Sequence, residues 1–198
     1  MSYTYGVNNI SKLNDEQAKY INITDKEKIT EDIENLKSNK VDYICVNMHW
    51  GDSSSSTINS EQEELANFLI ESGVDLIYGT HPTSIQKMEV KQNADGKNVF
   101  IAYSTGNFLS TSTNTGMILN VTITKNLDTE ITNLSTVVYH PIYLLDNGKN
   151  TASNRFSIID SKQTVETYEK IDSSIISTDL YKKLKKSIES VDKIVNEN

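Results

Sequence analysis

Two apolar runs, each ending in a histidine beside a glycine, constrain this chain more than any other feature. The first is DYICVNMHWGD at residues 42–52, and the second is DLIYGTHPTSIQ at residues 75–86. Residues 41–48 and 74–78 are apolar at nearly every position, the pattern of strands buried on both faces in a parallel sheet. The stretch between them supplies a helix. Ser60 and Glu63 have capping-box spacing, Leu65, Phe68, Leu69 and Ser72 share a face, and Gly73 suits the C-terminal cap. Strand, helix and strand in that order predict a right-handed parallel crossover. His49 and His81 then stand at strand C-terminal ends, where open α/β sheets build their sites.

The flanking sequence extends this unit. A short strand is expected over residues 2–5, turning at Gly6 and Asn8-Asn9, followed by a polar irregular stretch over 9–23. A helix should begin near Thr24, which has Glu27 at capping-box distance, with Ile29, Ile33 and Leu36 on one face. Beyond His81 the expected strands are 84–90, 99–103, 117–124 and 131–139. Asp95-Gly96 makes a hairpin of the first two, and residues 126–128 separate the last two. Residues 145–154 read as a polar loop containing Asn147-Gly148, and Leu180, Leu184, Ile188, Val191 and Val195 as the apolar face of a C-terminal helix. The serine-rich residues 52–59 read either as a flexible connection or as a flap over a site. The expected fold is α/β: a parallel βαβ portion, then antiparallel strands and a C-terminal helix.

Composition removes several classes of function. The net charge of -8 and pI near 4.9 argue against nucleic acid, whose phosphates call for clustered Lys and Arg, and against electrostatic capture of any polyanion. A hydrophobic fraction of 36% and a mean hydropathy of -0.46 imply a very polar surface around one domain, with or without an appended tail. The single cysteine, Cys45, excludes an internal disulfide and reads as a small buried hydrophobe within its apolar run. No run of about 18 apolar residues spans a membrane, and the first nine residues carry no export signal.

The chemistry centres on the histidines. A neutral imidazole at a strand end is a good ligand for a divalent metal, and Trp50 and Gly51 after His49 would give a pocket wall and a sharp turn. A His-Trp-Gly by itself reads rather as a hydrogen-bonded histidine at the edge of a core. His81, held in Gly79-Thr80-His81-Pro82, strengthens the functional reading, because two histidines from neighbouring parallel strands converge above the sheet. The third histidine, His140, precedes Pro141 and reads as structural. Asn107, in YSTGNF, either binds substrate or orients the histidine loops, or is a turn residue. Among the acids, Asp52 is three residues past His49 and is the candidate third metal ligand. Asp42 and Asp75 lie at the other end of their strands, and Glu61, Glu63 and Glu64 favour the first turn of a helix. Two histidines and one acid are too few for a two-metal centre. No G-x-S-x-G, Walker A or C-x-x-C motif is present.

Taken together, SYTYGVNN, DYICVNMHWGD, Glu61-Gln62 leading into LANFLIESGVDLIYGTHP, and YSTGNFL resemble the bacterial capsule-biosynthesis proteins of the CapA/PgsA type. The resemblance covers about residues 2–146 and implies a calcineurin-like metallophosphatase sandwich, here its C-terminal portion (1–146), with a loop and helical tail at 147–198. It also implies a role in poly-γ-glutamate capsule synthesis or export. The setting would be extracellular, with an anchor upstream of this chain and a membrane synthase complex as partner. His49 and His81 carry over as catalytic and metal-binding positions, with Asp52 where the family tends to carry a glutamate. Asn107 carries over with its role unassigned. Two departures stand out. The family's earlier glycine-aspartate and Asn-Asn-His blocks are missing, and its usual Gly-x-His-Pro-His ends here in Thr83. The implied cofactor is a divalent metal at a site incomplete in this chain, so the chain by itself is expected to be inactive. Two alternatives are a metal-dependent phosphoester hydrolase completed by an N-terminal half, and a non-catalytic scaffold. Truncation also predicts a bare sheet edge through which copies self-associate.

Overall fold

The computed structural model describes residues 1–9, 12–108, 110, 113–148 and 155–196. A five-stranded sheet is built from β1 (Ser2–Thr4), β2 (Cys45–His49), β3 (Leu76–Thr80), β4 (Met88–Gln92) and β5 (Asn98–Ala102). Its order is β1-β2-β3-β5-β4. All neighbours are parallel except β4 and β5, which form the hairpin turning at Asp95-Gly96. The antiparallel portion therefore begins inside the first sheet. A second sheet follows, from β6 (Thr115–Lys125), β7 (Thr132–Asp146) and β8 (Phe156–Asp160), all antiparallel.

Helices α2 (Lys26–Ser38) and α3 (Ser60–Glu71) cover one face of the first sheet. Ile29, Ile33, Leu65, Ala66, Leu69 and Ile70 pack there against Tyr3, Val46, Met48, Ile77, Val99 and Ile101. The opposite face is covered only on the β3–β5–β4 side. Phe100, Ala102 and Met88 meet Met117 of the second sheet and Val191 and Val195 of the last helix, α5 (Thr178–Val195). A further helix, α4 (Ser161–Lys170), packs beside α5, with Tyr168 stacked on Tyr181 at 4.4 Å.

This unequal cover corrects the reading of residues 41–48 as buried on both faces. In β2, Val46 and Met48 are buried, while Cys45 and Asn47 are exposed on the side that none of the described helices covers. Cys45 is thus not a core residue. Val41, at 43% exposure, lies outside the strand.

Caps account for the shifted helix starts. α2 is capped by Asp25, whose carboxylate accepts from the Lys28 N–H. Thr24 instead extends the edge of the sheet by donating its N–H to the Thr4 carbonyl. α3 is capped by Asn59 and Gln62, one residue before the expected pair. Its end is as expected: Gly73 has φ +97°, and the N–H groups of Gly73 and Val74 close on Ile70 and Leu69.

Three elements were not foreseen: α4, β8 and the short α1 (Asp15–Ala18), capped by Asn14 and Gln17. β8 falls next to the expected polar loop, of which residues 149–154 lie outside the described residues, as do 10–11 of the early irregular stretch. The predicted bare edge is modified too. Residues 22–24 run along the outer side of β1, with bonds from Thr4 N–H to the Asn22 carbonyl and from Thr24 N–H to the Thr4 carbonyl. β4, the other edge, carries Lys87, Glu89 and Lys91 in and beside it, charges that oppose edge-to-edge pairing.

Candidate functional site

The parallel register brings the site together. Thr4 pairs with His49 and His49 with Thr80, so three adjacent strands end in one row. Residues opposite one another share a face of the sheet. His81, one residue past Thr80, would in a continued strand point to the other face. It does not, because its backbone turns to φ +96°, a conformation few side chains adopt. The ring swings onto the side of His49, and the two imidazoles meet edge to face with centroids 4.5 Å apart. Strain of this kind, concentrated at one residue, commonly marks a functional position.

The residue after β1 closes the cluster. Tyr5 stacks on His49 at 5.4 Å and lies tilted on His81 at 5.0 Å, with its hydroxyl 3.3 Å from His81 Nε2. Thr4 Oγ1 lies 2.9 Å from His49 Nδ1. Both histidines are half-buried. Burial, with a smaller contribution from the neighbouring His81 ring, pushes the His49 pKa below that of an ordinary histidine. Burial thus favours the neutral imidazole of His49, the form that can accept a proton or bind a ligand.

Trp50 does not line this cluster, as the sequence had suggested it would. It is 3% exposed, stacks on Tyr103 at 5.6 Å, and donates its indole N–H to the Tyr103 carbonyl at 2.9 Å. The indole is thus spent inside the core against Tyr103. Gly79 makes this possible, because a Cβ there would collide with the Tyr103 carbonyl and lie 2.5 Å from the indole nitrogen.

The loops around the histidines are stitched together. Thr83 donates its N–H (2.7 Å) and its hydroxyl (2.8 Å) to the Ser53 carbonyl. Asn107 donates its N–H to the Thr83 carbonyl at 3.1 Å, and the Ser104 hydroxyl donates to Pro82 O at 2.9 Å. Asn107 thereby ties the YSTGNF segment to the His81 turn. The serine-rich residues 52–59 are held from below by a buried pair. The Gln62 amide donates to the Gln86 side-chain carbonyl at 2.9 Å, and the Gln86 amide donates to the Thr57 (2.9 Å) and Ser55 (3.3 Å) carbonyls. These bonds tether the loop at Ser55 and Thr57.

Asp52 accepts from the Asn59 amide at 3.3 Å. Among the described residues, no group of three or more His, Cys, Asp and Glu is placed to hold a metal ion, so Asp52 does not complete a triad with His49 and His81. Zinc sites use three or four protein donors, and this pair supplies two. These residues alone do not fit a complete metal centre. Asp75 accepts from the Ile44 N–H at 2.7 Å and pairs with Lys97, and Asp42 pairs with Lys125. His140 lies on β7, 3.6 Å from the Asp160 carboxylate.

The sequence named His49 and His81 but assigned no role to Thr4 or Tyr5. The signal was the parallel pairing itself. A third strand placed beside the 42–49 strand must bring its own C-terminal end, Thr4-Tyr5, to the same edge.

With that geometry in place, comparison with known proteins is specific. Residues 2–112 match the family described as bacterial capsule synthesis protein PGA_cap, and this chain belongs to that family. The match contains every residue of the cluster. The chain is also 36% identical over 73 residues to the capsule biosynthesis protein CapA of Bacillus anthracis, a stretch covering 37% of this chain and 16% of that protein. Over 68 residues it is 34% identical to the PGA biosynthesis protein CapA of Bacillus subtilis (strain 168), covering 34% of this chain and 17% of that one. The aligned stretches thus span about a sixth of the length of these relatives. No described helix is long and apolar enough to cross a membrane.

Proposed function

We propose that this chain serves capsule-polymer synthesis or export, with poly-γ-glutamate as the polymer, and that its histidine cluster is a reduced form of a metallophosphatase-like site. The observation that carries the reading is the convergence of His49 and His81, 4.5 Å apart at the ends of neighbouring parallel strands, inside the segment that matches the capsule family. Thr83 supports the word reduced. Its hydroxyl is engaged with the Ser53 carbonyl as a loop tether and offers no imidazole to an ion. In this reading the protein works on the extracellular side, held at the membrane by a segment outside this chain, with the polymer synthase as its partner. The chain's charge of -8 disfavours direct electrostatic capture of an anionic polymer, a task this reading leaves to the partner.

The test is a chimera. The aligned segment of the Bacillus subtilis relative is replaced by the corresponding residues of this chain, and secreted polymer is measured in cells lacking their own copy. Polymer near the normal amount is expected. A chimera that is present at normal levels yet yields no polymer would overturn the reading. Adding H49A and H81A to the chimera separates the site from the scaffold. Unchanged polymer output would favour a purely structural role for the domain. Chelator-sensitive turnover of a generic phosphoester by the isolated chain would show that it is a hydrolase in its own right.

A further inference from the structure

The Thr4 hydroxyl has one hydrogen and three polar neighbours. It lies 2.7 Å from the Gly6 carbonyl, 2.9 Å from His49 Nδ1 and 3.3 Å from the Gly6 N–H. A carbonyl oxygen can only accept, so the hydroxyl hydrogen goes to Gly6 O. The oxygen lone pairs then face His49 Nδ1 and the Gly6 N–H, and both must donate. The reverse arrangement, with Thr4 donating to Nδ1, would leave two oxygens facing each other at 2.7 Å without a proton between them. Proton positions in a histidine ring follow from such a network.

We infer that Thr4 is a positioning residue that holds His49 as the Nδ1–H tautomer and leaves Nε2, on the far edge of the ring, as its unprotonated nitrogen. Among the described residues no hydrogen bond engages that Nε2. Tyr5 packs on the ring and holds its plane. The backbone reinforces the geometry, since Tyr5 N–H donates to the His49 carbonyl at 2.9 Å and Thr4 sits opposite His49 in the ladder. This is the device by which many ligand-binding histidines are oriented, with one ring nitrogen anchored by an acceptor so that the other is free. The tautomer rests on hydrogen-bond geometry alone. Use of Nε2 toward a ligand rests on the function proposed above.

The experiment is two-bond 1H–15N correlation NMR of the folded chain with 15N-labelled histidine at pH 8, where neutral imidazole tautomers are distinguished by their nitrogen shifts. An H49Q variant assigns the signals, and His140 serves as an internal reference. The expected result is a protonated Nδ1 and a bare Nε2 for His49, preserved in T4S and lost or mixed in T4V. A wild-type spectrum showing Nε2–H, or a T4V protein that keeps Nδ1–H, overturns the inference. Zn2+ alone then tests the other reading. Movement of the His49 Nε2 signal, with affinity about tenfold weaker in T4V, supports a ligand role. A Zn2+ titration that leaves the signal in place removes the ligand role while the tautomer assignment stands.

Discussion

At the scale of single residues, His81 sets the character of the site. Its φ of +96° is what turns a strand-end histidine onto the face of its neighbour, and the conformation costs energy in any residue that carries a Cβ. Replacing the side chain separates that cost from its use. H81A and H81G both remove the imidazole, but glycine adopts the required backbone without strain, so H81G should be more stable than H81A by about 1 kcal/mol in urea denaturation. Equal midpoints would mean that the turn relaxes to a negative φ once the ring is gone. Glu89 makes the second argument at this scale. Burial pushes its pKa up, but hydrogen bonds from Tyr103, Lys87 and Lys91 outweigh that and hold it below the ordinary glutamate value. A carboxylate with a depressed folded pKa stabilises the fold above its unfolded value and loses that contribution as pH falls through the folded one. E89Q should therefore unfold at lower urea than the wild type at pH 7, and the gap should narrow below about pH 4. A gap independent of pH would assign the effect to packing instead.

Among the elements, the Gln62–Gln86 pair joins α3 to the turn after His81 and to the serine-rich loop. Both side chains are buried, so truncating Gln86 strands the amide of Gln62 and leaves the carbonyls of Ser55 and Thr57 without their donor. Q86A should cost about 1–3 kcal/mol, with faster hydrogen exchange over residues 52–59 and unchanged exchange in β6 and β7. This link also shows what a sequence hides. Gln62 was readable as part of a helix start, but not as a residue whose far end holds a loop, because that depends on Gln86 arriving from another element. The strand–helix–strand unit, the Asp95-Gly96 hairpin and the amphipathic α5 were all legible from period and turn chemistry. The face of β2 was not. Val41 and Cys45 counted as core by composition, and only the placement of α5 and the second sheet decides which half of the first sheet is covered. The site was half legible for a similar reason: His49 and His81 announce themselves by type, whereas Thr4 and Tyr5 acquire meaning only through the strand beside them.

On the scale of the whole molecule, the residues beyond 146 matter more than their polar composition suggests. β8 completes the second sheet, and α5 covers the β3–β5–β4 side of the first with Val191 and Val195, its Leu184 also being buried. Each fully buried side chain of that size contributes roughly 1.5–3 kcal/mol, and removing the helix would also uncover Phe100 and Met88, against a net stability of about 5–15 kcal/mol for a domain. A chain ended after Asp146 should lose its cooperative unfolding transition by circular dichroism. A cooperative transition retained in that truncated protein would show that the first sheet stands without α5. The same architecture gives the molecule a built-in optical gauge. Trp50 is its only indole, enclosed between the end of β2 and the end of β5 and directly following His49. Its fluorescence should be blue-shifted and polarised by a rigid cage, so opening of the first sheet's core can be followed by the emission of unlabelled protein.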